Sequence, residues 1–179
     1  MDTRHTPVSA IVGTIVFTIC VPGTVVVIVP YLLSRWRINP PLLGLSSIRW
    51  FGATLILAAL PIFIAFLIRF VREGRGTPAP IAPTARLVTG GPFQRVRNPG
   101  YIAVVAMLVG QGLFFGETSV LVYALLIAVA FHLFVILYEE PTLKARYGAE
   151  YERYCRQVPR WAPRLRSAHA KIDESPPAQ

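Results

Sequence analysis

Apolar residues gather along the chain into four long runs, Val8 to Leu33, Ile48 to Val71, Tyr101 to Phe115 and Val120 to Tyr138. The first holds 26 residues without a charge, and about 20 suffice for a helix to cross the hydrocarbon core of a bilayer. It reads as a transmembrane helix, since it is too long for the apolar region of a signal peptide and no cleavage site with a soluble domain follows. The second run contains Pro61, which a membrane helix accommodates as a bend when neighbouring helices satisfy the freed carbonyl. The third is only 15 residues long and carries Gly110, Gln111 and Gly112, which predicts a short span shielded by protein. The polar turn Gly116-Glu117-Thr118-Ser119 joins it to the fourth, so the two are expected to form a tight helical hairpin. The pattern predicts an all-α polytopic membrane protein with about four transmembrane helices, at 8–33, 48–71, 101–115 and 120–138, in one domain spanning 1–179.

Composition sharpens this picture. Of 179 residues, 54% are hydrophobic and 15% charged, with a mean hydropathy of +0.52, whereas soluble domains carry about 25% charge. An ordinary cytosolic globule is excluded. The net charge of +9 is explained by topology, because basic residues collect on the cytoplasmic side of membrane proteins. With four crossings, fifteen of the 18 Lys and Arg fall on one side and only Arg35, Arg37 and Arg49 on the other. Both termini are therefore expected in the cytoplasm, and no nucleic-acid partner is expected. Cys20 and Cys155 have neither the number nor the spacing of a disulfide framework or a zinc site, so no metal is expected.

Two polar segments are more than connectors. Loops between antiparallel membrane helices run to about 2–8 residues, yet Arg72 to Gly100 is about 29 long. Its first half, Glu73 to Pro83, is rich in Gly and Pro and reads as an extended surface segment. Its second half alternates apolar anchors with glycines and ends at Asn98-Pro99, where Pro99 suits the first turn of the third span and Asn98 its N-cap. The free amides of that helix, beside Arg95 and Arg97, would favour a carboxylate or phosphate; the alternative is a capped helix whose arginines meet lipid phosphates. In the tail, Leu143, Tyr147, Tyr151, Tyr154 and Val158 share one helical face. This predicts a cytoplasmic amphipathic segment at the membrane interface over 139–163, as one helix or as two meeting at Gly148, followed by a frayed terminus at 164–179.

Glu139-Glu140 is the most informative local feature. Adjacent carboxylates at the end of an apolar helix oppose its macrodipole and call for a cation, either Arg97 or Arg95 in a structural ion pair or a cationic ligand. His132 lies seven residues before Glu139, two turns back on the same face. It is either a neutral side chain bonded to a neighbouring helix or a functional group within the bilayer.

Gly-Gly-Pro-Phe-Gln-Arg-Val-Arg97-Asn98-Pro99-Gly-Tyr101, an apolar hairpin and then Glu139-Glu140-x-x-Leu143-x-x-x-Tyr147-Gly148-x-x-Tyr151-x-x-Tyr154 together resemble the isoprenylcysteine carboxyl methyltransferase family and its phospholipid methyltransferase relatives, over Leu87 to Pro163. The resemblance implies an integral membrane enzyme that uses S-adenosylmethionine, held by a loop at 84–101 and the tail at 139–163. It implies that Leu87 and Val88 meet the cofactor through the backbone, Phe93 through its ring, Asn98, Pro99, Gly100 and Tyr101 as a binding turn, and Glu139 as the acidic ligand. Arg97, Glu140 and His132 are the candidate catalytic residues. Asn98 stands where many members have His. Val135 stands where the prenylcysteine enzymes have an Arg for the substrate carboxylate, which turns the expectation toward a neutral or weakly acidic lipophilic small molecule, a thiol, hydroxyl or amine, with membrane lipids as the other expected partner. A phospholipid amine, a prenylcysteine carboxylate and a non-catalytic membrane scaffold are the alternatives. No G-x-G-x-x-G follows a strand, so a soluble dinucleotide-type methyltransferase domain is absent.

Overall fold

The computed structural model describes residues 15–69, residue 17 apart, and 87–164. The start of the first apolar run (8–14), the Gly/Pro-rich half of the long loop and the terminus from 165 onward lie outside the described residues. Among the described residues five helices carry the fold: α1, Thr18–Ser34; α2, Ser46–Arg69; α3, Pro99–Phe115; α4, Thr118–Tyr147; and α5, Ala149–Gln157. Among the described residues there is no strand. Helices α2 and α4, of 24 and 30 residues, are long and apolar enough to cross a bilayer. Their outer faces carry Leu57, Leu125 and Leu137, each more than 60% exposed, as lipid-facing positions require and a water-facing surface would penalise.

Helix α3 is short because protein surrounds it. Its Ala103 and Leu108 have no exposed surface, and Val104 and Met107 are buried beside them. This row packs on Ala59 and Phe63 of α2 and Ala124 of α4. Packing inside a membrane cannot draw on expulsion of water, so close van der Waals approach must supply it, and small residues allow that approach. A Cβ on Gly52 would stand 2.6 Å from the Gly110 carbonyl oxygen, and one on Gly110 would stand 2.8 Å from the Gly52 oxygen. The two backbones of α2 and α3 are in direct contact. Helix α2 runs through Pro61 as one continuous helix. The far end of the hairpin is tied by Asn39, whose amide donates to Glu117 at 2.9 Å, while Glu117 accepts the Ser119 backbone N–H at the start of α4.

Two expectations from the sequence are corrected. The fourth apolar helix does not stop at Glu139-Glu140. It continues to Tyr147 through a π-helical turn at Val135–Glu139, a wider turn that accommodates Pro141, which has no N–H for the helical ladder. The carboxylates therefore sit inside a helix and do not face a C-terminal dipole. The apolar face of the tail likewise covers protein instead of lipid. Leu143, Tyr147, Tyr151, Tyr154 and Val158 close over Val88 and Phe93 of the loop as a second core. The chain breaks at Gly148, whose φ of 50° a side-chain-bearing residue would resist, so the tail is two helical pieces.

Replacing Gly52 by Leu should push α2 off α3 and cost about 1–3 kcal/mol. A thermal melt in one detergent checks this, with Leu57→Ala on the lipid face as control. An equal melting temperature for both variants would mean that the backbone contact is not limiting.

Candidate functional site

Residues 158–164 fold back over the loop and form a strap. The Arg97 N–H donates to the Pro159 carbonyl at 2.9 Å, and the Arg164 N–H to the Arg95 carbonyl at 3.0 Å. The Asn98 side-chain amide donates to the Arg160 carbonyl at 3.2 Å. Asn98 thus departs from its expected role: it precedes α3 with Pro99 in the first turn, but its side chain makes no cap bond and is spent on the strap. Phe93 sits in a 3₁₀ turn at Gly91–Gln94 and packs 5.9 Å from the Phe66 ring. Its carbonyl accepts the Tyr154 hydroxyl at 2.8 Å. Leu87 and Val88 stand beside it, facing the tail tyrosines.

Glu140 joins three segments. Its Oε1 accepts Arg97 Nη1 at 2.9 Å and Arg160 Nε at 2.7 Å, and its Oε2 accepts Arg160 Nη2 at 2.8 Å. The Arg160 contact is the bidentate fork that a guanidinium makes with a carboxylate. Arg97 Nη1 also reaches Cys155 Sγ at 2.8 Å and the Tyr151 hydroxyl at 3.4 Å. Burial pushes the Tyr151 and Tyr154 hydroxyls above the ordinary tyrosine range, so both stay protonated. Arg97 Nε is buried and has no hydrogen-bond partner among the described residues. A buried donor without an acceptor costs about 1–3 kcal/mol, which marks a place where a ligand atom would be favourable.

Glu139 is different from its neighbour. It is half-buried, accepts the Tyr101 hydroxyl at 2.9 Å, and among the described residues no cation pairs with it. Two adjoining cavities meet at this carboxylate. One opens toward the apolar interior between Phe63, Phe66, Val104 and Phe131, and includes Pro99, Gly100 and Tyr101. The other opens toward the tail between Leu87, Val88, Val135, Tyr151 and Tyr154. Both are lined by Phe93, Arg97, Asn98 and Glu139. All eight residues that the resemblance assigns to cofactor binding line one or both, as do Arg97 and Glu140. Chemically the site offers an uncompensated carboxylate, an unpartnered guanidinium N–H and aromatic walls.

His132 is not brought to this site. At about 100° per residue, seven residues return a regular helix to nearly the same face, which is why the sequence aligns His132 with Glu139. The π-helical turn between them adds a residue without adding its rotation, and Phe131 takes the place expected of His132 beside Glu139. His132 is exposed and accepts the Trp161 indole N–H on its Nδ1 at 3.1 Å. Sequence reasoning missed Arg160, Trp161, Tyr151 as a polar partner, and Cys155. Nothing in the spacing separates Arg160 from Arg153 or Arg156; Trp161, a lone large aromatic in a polar stretch, was the one available signal.

No individual curated protein matches the chain. A family model described as phospholipid methyltransferase matches residues 47–150, from the start of α2 to the first turn of α5, and so takes in the loop, α3, the hairpin and the Glu139-Glu140 pair. Since this match covers more than half of the chain and contains the carboxylate at which the two cavities meet, the chain belongs to the phospholipid methyltransferase family.

Proposed function

We propose that this membrane methyltransferase takes its methyl group from S-adenosylmethionine and delivers it to a neutral or weakly acidic lipophilic small molecule at the cytoplasmic membrane interface, in a four-span topology with both termini cytoplasmic. The observation that carries this reading is Glu139, a carboxylate with no cationic partner among the described residues, set among aromatic rings beside the unpartnered Nε of Arg97. When bound, S-adenosylmethionine supplies an activated methyl on a sulfonium cation. The residues present fit such a group. Glu139 is suited to its positive or hydroxyl groups and Arg97 Nε to an acceptor atom, while Phe93 and Phe131 offer the ring faces that attract a cation.

Each of the chain's own groups has a definable task in this reading. Tyr101 holds Glu139 in one orientation through its hydroxyl. Glu140 is occupied by two guanidinium groups, so its task is to position Arg97 and to hold the strap. The phenylalanines exclude water, which strengthens every charge interaction inside and leaves alignment of donor and acceptor as the main requirement. Val135, buried at the wall of the tail-side cavity, offers no cation for a substrate carboxylate. A phospholipid amine is the second reading, favoured by the description of the matched family.

Glu139→Gln should weaken S-adenosylmethionine binding by about tenfold, the magnitude of one charged hydrogen bond, with little change in melting temperature. Glu140→Gln should do the reverse, lowering the melting temperature by about 5 °C through loss of the paired charges with a smaller loss of affinity. Calorimetric titration and thermal melts of both variants in detergent check the assignment; equal or reversed losses would overturn it. Wild-type protein that neither binds the cofactor nor shifts its melting temperature with it would end the enzyme reading.

A second test offers small thiols, lipid amines, phosphatidylethanolamine and a farnesylcysteine carboxylate in parallel assays of methyl transfer. Turnover is expected with the small thiols or the lipid amines. Preferential turnover of the farnesylcysteine carboxylate would overturn the substrate class.

A further inference from the structure

The apolar face of α5 lies against the loop, and its opposite face is basic. At about 100° per residue, Arg153 and Arg156 fall on the side of the helix away from the buried Tyr151 and Tyr154, with Ala149 between them around the axis. Both arginines are exposed. So are Arg146 in the last turn of α4, Arg95 of the loop and Arg164 of the strap, the last two joined through their backbones at 3.0 Å. Among the described residues none of these arginines has a carboxylate partner. The acids at this end are otherwise placed. Glu139 lines the two cavities, Glu140 holds Arg97 and Arg160, and Glu152, one turn before Arg156, holds Lys144 at 2.9 Å. Glu150, exposed and unpaired, is the exception among the described residues.

The level of this face relative to the bilayer follows from the Lys144–Glu152 bridge. Along α4 the exposed large apolar side chains stop at Tyr138, and none is exposed over 139–164. An aromatic residue at that limit suits the edge of the hydrocarbon. Lys144 lies six residues further, about 9 Å at 1.5 Å per residue, and its bridge keeps α5 at that height. Head groups fill roughly 5–8 Å beyond the hydrocarbon of each leaflet, and charges act over about 8 Å at physiological salt. The α5 arginines therefore stand within reach of lipid phosphates.

We propose that the outer face of α5, centred on Arg153 and Arg156, together with Arg95 and Arg164 where the strap closes on the loop, is a docking surface for anionic phospholipid head groups. The tail then attaches to the membrane by charge and not by inserting an apolar face. Complementarity selects the partner. The positive charge here is exposed and largely uncompensated, and it is carried by guanidinium groups, whose planar fork matches a pair of phosphate oxygens. The same surface offers no apolar anchor to lipid tails. Because Tyr151 and Tyr154 of this helix line the tail-side cavity, lipid that fixes α5 also fixes that wall.

The test uses the full chain in nanodiscs of phosphatidylcholine with or without phosphatidylglycerol, and reads backbone hydrogen exchange over 149–157. Exchange is expected to slow about fivefold in the anionic discs at low salt, the effect of one arginine near a charged leaflet, and the slowing is expected to vanish at high salt. Arg153→Gln with Arg156→Gln should abolish it. Arg153→Lys with Arg156→Lys should keep most of it, and Arg35→Gln with Arg37→Gln, at the opposite end of the bundle, should leave it unchanged. Melting temperatures in pure phosphatidylcholine are expected to match the wild type; should the Gln pair fail to fold, the salt dependence of the wild-type chain decides. Equal exchange in both kinds of disc, slowing that survives high salt, or slowing that survives in a folded Gln pair would overturn the proposal. Equal slowing in phosphatidylcholine discs on adding inorganic phosphate or polyglutamate would overturn the lipid as the partner.

Discussion

The site depends on Glu140 and the two arginines that hold it. Arg97 comes from the loop before α3, Glu140 from the last third of α4, and Arg160 from the strap, so a single carboxylate joins three segments that are separate in sequence. Such a cluster, mostly withdrawn from water, adds little net stability over an apolar substitute, but losing one partner leaves charges unpaired and costs several kcal/mol. Its effect is on geometry. With Glu140 consumed, Arg97 lines both cavities while its buried Nε has no partner among the described residues, and Glu139 next door likewise remains without a cation among them. The structure thus separates two adjacent and chemically identical side chains into one that holds the fold and one that is available to a ligand.

That separation needs the π-helical turn at Val135–Glu139. In a regular α-helix, Glu139 would lie below His132 and Phe131 would point elsewhere. The wider turn shifts everything after it by about one residue's rotation. Glu139 then meets Tyr101 across the helix interface, and His132 turns outward to Trp161. Pro141, directly after the turn, supplies a local reason for it, since the chain cannot keep a regular ladder there.

The same economy governs α3. Seventeen residues span about 26 Å at 1.5 Å per residue, a poor match to a bilayer if exposed to lipid. Surrounded by α2 and α4, with backbone contact at Gly52 and Gly110, the helix needs no such match, and its start at Pro99 places Tyr101 within reach of Glu139. Length, packing and site position are one arrangement.

Much of this was legible in the sequence. The long apolar runs determined an all-helical chain with helices long enough for a bilayer, because hydropathy over about 20 residues is a local property. The second half of the loop before Pro99, the Glu139-Glu140 pair and the periodic tyrosines of the tail marked the stretches from which the site is built, and Pro99 fell in the first turn of its helix as residue-level rules require. What the sequence could not decide is where a side chain ends up once segments fold over one another. Asn98 looked like a cap and became a strap contact; the tail's apolar face looked suited to lipid and instead covers Val88 and Phe93. His132 and Glu139 were aligned by a period of 3.6 that one π-helical turn undoes. Arg160 carried no local signal, and Trp161 only that of a lone large aromatic in a polar stretch. Periodicity and propensity act over a turn or two of chain, whereas the choice between Arg95 and Arg97, or between Glu139 and Glu140, is made by partners 20 to 60 residues away, and only the tertiary structure brings them within reach.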